Sequence, residues 1–153
     1  MENQGERKFS KRFVIGLVMV ILIAAGLFGG WYFFGPCGVA RVNSANEDIG
    51  KILQQWSAAN AVAGNTSRIA LDGPIMRLQE IRQQASELKV PPCLEDAKHN
   101  LVLGMDEAID GYLAFMRQAN NTLVESKFSN AALYMGQVAD KLQDVKSCAP
   151  FCK

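Results

Sequence analysis

Residues 122–145, TLVESKFSNAALYMGQVADKLQDV, decide the fold of this 153-residue chain. Apolar residues recur along this stretch at alternating spacings of four and three: Val124, Phe128, Ala131, Met135, Val138, Leu142 and Val145. That spacing places one apolar stripe on one face of an α-helix and is typical of coiled-coil-like packing. Thr122 and Glu125 form a capping box, which predicts that the helix begins there.

Three further helices are predicted upstream of this one. A capping box at Ser44 and Glu47 opens a helix over about 44–63, with Ile49, Ile52, Leu53, Trp56, Ala59 and Ala63 on one face. After the break at residues 72–74, a second helix carries Ile75, Leu78, Ile81, Ala85 and Leu88 and stops at Pro91 and Pro92. The third carries Leu94, Ala97, Leu101, Met105, Ala108, Tyr112, Phe115 and Ala119.

These helices predict an all-α fold, because no stretch alternates with the period of two that is typical of strands. Short connections between amphipathic helices make consecutive helices antiparallel neighbours. We therefore expect an antiparallel four-helix bundle over residues 44–153, preceded by a short linker at 36–43.

Residues 13–35, FVIGLVMVILIAAGLFGGWYFFG, contain no charged side chain. A bilayer core about 30 Å thick needs roughly 20 apolar helical residues, so this run predicts a transmembrane anchor. Four small residues in it would permit close approach of a second copy in a homodimer, although glycine is simply common in membrane helices: Ala25, Gly26, Gly29 and Gly30. A cleaved signal peptide is the alternative, but its apolar core would be shorter, at about 7–15 residues.

The charges that flank this run predict its direction. Residues 1–12 hold four basic side chains, Arg7, Lys8, Lys11 and Arg12, whereas the segment after the run holds only Arg41 near the bilayer. The positive-inside rule then makes residues 1–12 a cytoplasmic tail and places residues 36–153 outside the cytoplasm. An aromatic cluster would lie at the outer membrane interface: Trp31, Tyr32, Phe33 and Phe34.

Four cysteines, Cys37, Cys93, Cys148 and Cys152, all fall at one end of the predicted bundle. An even number in an oxidising compartment indicates two disulfides, for which three pairings exist. We expect Cys148 and Cys152 each to join a distant partner, Cys37 in one case and Cys93 in the other. A direct Cys148–Cys152 bridge is an alternative, and a four-cysteine zinc site is a weaker one, because Cys37 and Cys93 are not a close pair.

Composition and motifs give little support to catalysis. The formal net charge of +1 argues against nucleic-acid binding. The single histidine, His99, rules out a di-iron bundle and fits a surface position, where Glu95 is its i,i+4 neighbour. Asp106, Glu107 and Asp110 are interpreted as a solvated helix face rather than as an acid–base or cation site.

We therefore expect a non-enzymatic, membrane-anchored module that binds another envelope or surface protein as an adaptor, chaperone or assembly factor, with no resident metal or cofactor. The alternative is a small ligand bound between the third and fourth helices. Its predicted lining is Tyr112, Phe115, Met105 and Met135. An enzyme that uses the acidic side chains of the third helix ranks last.

Overall fold

The computed structural model describes residues 19–27, 29–30 and 35–148, the last of these without its side chain. Four long helices follow one another in residues 35–148: α1 (Val39–Gly64), α2 (Asp72–Glu87), α3 (Glu95–Met116) and α4 (Asn121–Cys148). Two short 3₁₀ helices, Arg68–Ala70 and Pro92–Leu94, lie in the connections. The prediction of an all-α protein is confirmed, since the described residues contain no strand.

No helix in the described ranges has both the length and the apolar character needed to cross a membrane. Within the predicted span, residues 19–27 and 29–30 are helical, whereas residues 13–18, 28 and 31–34 lie outside the described part. The predicted tail at 1–12 and the aromatic cluster at Trp31, Tyr32, Phe33 and Phe34 lie outside it as well. The structure therefore does not show the predicted transmembrane helix.

Helix α1 begins at Val39, so the predicted start at Ser44 and the predicted linker over 36–43 are wrong in this detail. Gly38 is the N-cap, and its carbonyl accepts a hydrogen bond from the Val42 N–H at 3.0 Å. Val42 and Ala45 are both buried, which extends the apolar face of the helix by about two turns before Ile49. Burial of Val42, which precedes Ser44, favours the earlier start over a cap at Ser44.

Helix α4 also begins earlier than its capping box predicts. The side-chain oxygen of Asn120 accepts a hydrogen bond from the Thr122 N–H at 2.8 Å, and the helix starts at Asn121. Asparagine is among the best N-cap residues, and here it takes the place predicted for Thr122. The connection before it is tight, because Gln118 adopts a left-handed conformation with φ of 57° just after α3 ends.

The core is a single cluster to which all four helices contribute. The predicted apolar rows are largely buried, and the row of α2 is confirmed in full apart from half-buried Leu88: Ile75, Leu78, Ile81 and Ala85. Helices α3 and α4 make the most extensive contact, whereas α1 and α4 approach each other only briefly. Three of the four seams between neighbouring helices are therefore closed, and the α1–α4 seam is partly open.

Contacts between helices show the antiparallel order. The Lys141 ammonium of α4 lies 4.0 Å from Asp96 near the start of α3, and Lys127 lies 3.0 Å from Glu107 farther along α3. The start of α1, the α2–α3 connection and the end of α4 thus form one end of the molecule, which we call the disulfide pole. The opposite end, where α1 and α3 finish, is the distal pole.

Candidate functional site

A disulfide joins Cys37 to Cys93 at the disulfide pole, with their Cα atoms 6.1 Å apart. The expected pairing, in which Cys148 and Cys152 each bridge to one of these cysteines, is therefore wrong. Cys37 precedes the first turn of α1 and Cys93 lies in the 3₁₀ turn before α3, so the fold brings these two together directly. The side chain of Cys148 and all of Cys152 lie outside the described residues.

The acidic side chains of α3 are engaged by the neighbouring helices. The Arg82 guanidinium of α2 donates two hydrogen bonds to the Asp106 carboxylate, both at 2.7 Å. The Lys127 ammonium of α4 lies 3.0 Å from Glu107 and 3.2 Å from Asp110. These carboxylates therefore join α3 to α2 and α4, a role that the prediction of a solvated face missed.

The pKa of Glu107 reflects this setting. Partial burial acts to raise it, but hydrogen bonds donated by Asn130 and Lys127 outweigh burial and hold the pKa below its usual value. The pKa of Lys127 is raised, chiefly because its ammonium donates to Glu107 and Asp110. Both groups are thus held in their charged, mutually neutralising forms rather than being poised to exchange protons near neutral pH.

His99 is exposed on α3, as expected for a surface residue, and Glu95 lies 3.9 Å from the Lys98 ammonium. Among the described residues, no three histidine, cysteine or carboxylate side chains are grouped closely enough to hold a metal ion.

The predicted ligand site between α3 and α4 is filled by side chains. Met105 is fully buried, and Met135 packs onto the backbone of α3 at Gly104. A Cβ atom at Gly104 would lie 3.3 Å from both Met135 and the Ala131 carbonyl oxygen, so the absence of a side chain allows this close contact. The structure thus places Met105 and Met135 in the packed core.

Tyr112 and Phe115, the other two predicted lining residues, face an open groove at the distal pole. Its volume is about 390 Å³ and we call it the distal groove, lined by Ala63, Gly64, Thr66, Leu71, Tyr112, Phe115 and Phe128. Phe115 is 45% exposed, although the spacing along α3 predicts a core position. The reason is that α3 ends at Met116, so no helix covers this last apolar turn.

The floor of the distal groove is formed by two aromatic rings in contact. The Tyr112 and Phe128 rings meet edge to face with centroids 5.0 Å apart, a favourable aromatic geometry. The Tyr112 hydroxyl donates to the Asn60 side-chain oxygen at 3.0 Å, and burial raises the pKa of this hydroxyl. Gly64 at the end of α1 lies beside this hydroxyl, where a Cβ would make an ordinary contact with the oxygen at 3.6 Å.

Exposed apolar side chains gather around the distal pole. Outside residues 19–27, the large apolar side chains that are exposed in the described part are Val62, Ile69, Met76, Phe115, Leu123 and Leu133. All of these except Leu133 belong to the last turns of α1 and α3, the first turns of α2 and α4, or the connection between α1 and α2. We call the five residues at this pole the distal rim. The sequence indicates that three of them are exposed, because Val62, Ile69 and Met76 are not among the apolar residues predicted to face the core.

Comparison of the chain with models of known protein families, with curated proteins and with solved structures found no match.

Proposed function

We propose that this protein is a single-pass, membrane-anchored extracytoplasmic module that binds an apolar segment of another envelope or surface protein at its distal pole. The observation that carries this proposal is the distal rim, since five of the six exposed large apolar side chains of residues 35–148 lie at the same end of the bundle as the aromatic distal groove, and one of them, Phe115, lines it. Exposed apolar side chains that are clustered, rather than scattered singly, mark interaction sites in soluble domains.

The anchor half of the proposal rests on residues 13–35. The helical residues 19–27 expose their apolar side chains on all sides, with Met19, Val20 and Leu27 between 57% and 72% accessible. A helix that is apolar all round needs an apolar surrounding, and an uncharged run of this length suits a bilayer. The four basic side chains of residues 1–12 favour a cytoplasmic N-terminus and an extracytoplasmic bundle.

The ion pairs of the acidic side chains favour a binding role over an enzymatic one. The carboxylates that could act in acid–base catalysis are paired with Arg82 and Lys127, and the groove itself is lined by apolar and aromatic side chains. Large aromatic anchors at such a groove are the residues that commonly dominate binding energy in protein interfaces.

The test is site-specific cross-linking of the full chain in its native membrane. Ile69→Ser and Phe115→Ser should each abolish a specific cross-linked species that forms with the wild-type chain, because each removes an apolar contact from the distal rim. Leu133→Ser is the matched control, since Leu133 is equally apolar and exposed but lies midway along α4. Loss of the same species with Leu133→Ser, or its survival in both distal variants, would contradict a distal binding site.

A second candidate function is binding of a small apolar ligand in the distal groove. Its volume of about 390 Å³ falls within the range of about 300–1,000 Å³ that is usual for ligand sites. A ligand held there would be lost in Phe115→Ser and retained in Ile69→Ser, because Phe115 lines the groove and Ile69 does not. Mass spectrometry of the protein isolated under non-denaturing conditions would distinguish this pattern from that of a protein partner.

A further inference from the structure

A second groove opens where α1 and α4 diverge at the disulfide pole. Its volume is about 350 Å³, and we call it the seam groove, lined by Asn46, Gly50, Leu142, Gln143 and Lys146. It lies far from the distal rim: Gly50 and Gly64 are separated by 14 helical residues, or about 21 Å along α1. The two grooves are therefore separate surfaces.

The seam groove displays Leu142, a half-buried apolar residue of α4. The fully buried row of this helix, Ala131, Val138 and Val145, repeats every seven residues and faces the core. The adjacent row also repeats every seven residues, and its members Met135 and Leu142 are half-buried: Met135 packs onto α3 at Gly104, whereas Leu142 lines the groove. A heptad row left half-covered is the surface that another helix covers in coiled-coil packing.

The walls of this seam leave room for a close neighbour. A Cβ atom added at Gly50, which lines the groove, would meet nothing within 4 Å, and the same is true at Gly136. Gly136 lies seven residues before Gln143, which also lines the groove, so both lie on the same face of α4. Two helices can approach closely where such glycines leave space.

The polar groups at the groove form a self-complementary set. The Asn46 side-chain oxygen is buried and has no hydrogen-bond donor among the described residues. Lys146 lines the groove, Glu47 follows Asn46 on α1 and is exposed, and within the described residues neither takes part in an ion pair. The surface thus offers one cation, one carboxylate and one amide, and the same surface on a second copy offers the matching partners.

We propose that the seam groove is the interface of a parallel homodimer, in which α1 and α4 of two copies pack together around a two-fold axis. The proposed membrane anchor sets both copies in the same direction, so the two equivalent seam grooves face each other across the axis. Lys146 of each copy then faces Glu47 of the other, and the two Leu142 side chains cover each other. The distal groove stays open in this arrangement.

The test measures the mass of the full chain by sedimentation velocity in a non-ionic detergent. The wild-type chain should be dimeric, and Gly50→Trp and Gly136→Trp should be monomeric, because each fills the space that the second copy occupies. Gly73→Trp is the matched control: a Cβ there also meets nothing within 4 Å, but Gly73 lies at the start of α2, away from the seam. This variant should remain dimeric.

A charge exchange keeps the test independent of the folding of the tryptophan variants. Lys146→Glu should weaken the dimer, and Lys146→Glu combined with Glu47→Lys should restore it. A monomeric wild-type chain would overturn the proposal. Dimers that persist in both tryptophan variants would also overturn it, since they would show that the anchor alone holds the copies together. Binding at the distal pole is read separately through Ile69→Ser, so failure of the dimer leaves that site untouched.

Discussion

Removal of the Cys37–Cys93 disulfide should lower the stability of the helical domain by about 4 kcal/mol. The two cysteines are 56 residues apart, and in the chain-entropy model a cross-link of that length removes roughly 14 cal/mol/K from the unfolded chain. The change is large compared with a typical unfolding free energy of about 5–15 kcal/mol. We therefore expect the Cys37→Ser, Cys93→Ser double variant to fold, but with a much smaller free energy of unfolding than the wild type.

The expected shift in melting temperature follows from the size of the domain. Residues 35–148 correspond to an entropy of unfolding of roughly 240 cal/mol/K, so a loss of about 4 kcal/mol lowers the Tm by about 15–20 °C. The measurement is a thermal melt followed by circular dichroism, on the full chain in detergent. Reduction of the wild-type protein with dithiothreitol should produce a similar fall.

The matched control is the Cys148→Ser, Cys152→Ser double variant. If these two cysteines pair with each other, they close a loop of only four residues, and their removal costs about 2 kcal/mol in the same treatment. Equal losses in the two double variants would refute this reasoning. Mass spectrometry without reduction gives a second check, since a peptide that joins Cys37 to Cys148 or Cys152 would contradict the pairing in the structure.

Three further outcomes are expected from thermal melts. Gly111→Ala should lower stability by about 1 kcal/mol, because a Cβ there lies 3.1 Å from the Phe128 ring. Gly136→Ala should raise stability by up to about 1 kcal/mol, because a Cβ there meets nothing within 4 Å and alanine favours the helix. A gain of stability in both variants would show that the Phe128 ring moves aside at little cost. Gln118→Gly should stabilise by up to about 1 kcal/mol, since glycine adopts a positive φ without strain; a loss would contradict this. Folding lowers the pKa of Glu107, so its carboxylate stabilises the folded state. This stabilisation is fully present above the carboxyl pKa of the unfolded chain, about 4.3, and is lost as the pH falls through the pKa of the folded state. Glu107→Gln should therefore be less stable than the wild type at pH 7, and the difference should shrink at pH 3; an unchanged difference would contradict the assignment.

The spacing of apolar residues along each helix was sufficient to predict most of the buried core. The row Ile75, Leu78, Ile81 and Ala85 of α2 follows from helical periodicity, because burial of one face is decided by spacing within the helix itself. Helix starts were less predictable. Both capping boxes occur in the sequence, yet burial of Val42 and the Asn120 cap place the starts of α1 and α4 earlier.

The candidate sites depended on contacts between distant parts of the chain. Phe115 continues the apolar row of α3, but it is exposed because the helix ends at Met116 and nothing covers its last turn. Arg82 lies 24 residues from Asp106, and Lys127 lies 20 and 17 residues from the two carboxylates that it binds, separations at which no helical spacing rule applies.

The sequence by itself determined that the chain is helical, which face of each helix is apolar, and that an uncharged apolar run precedes the helices. Each of these properties depends on residues within a few turns of one another. Only the tertiary structure decided that Cys37 pairs with Cys93, that the acids of α3 are neutralised by α2 and α4, and that the α1–α4 seam is partly open. Those features depend on how whole helices pack, and helices with the same apolar rows can pack with different seams closed.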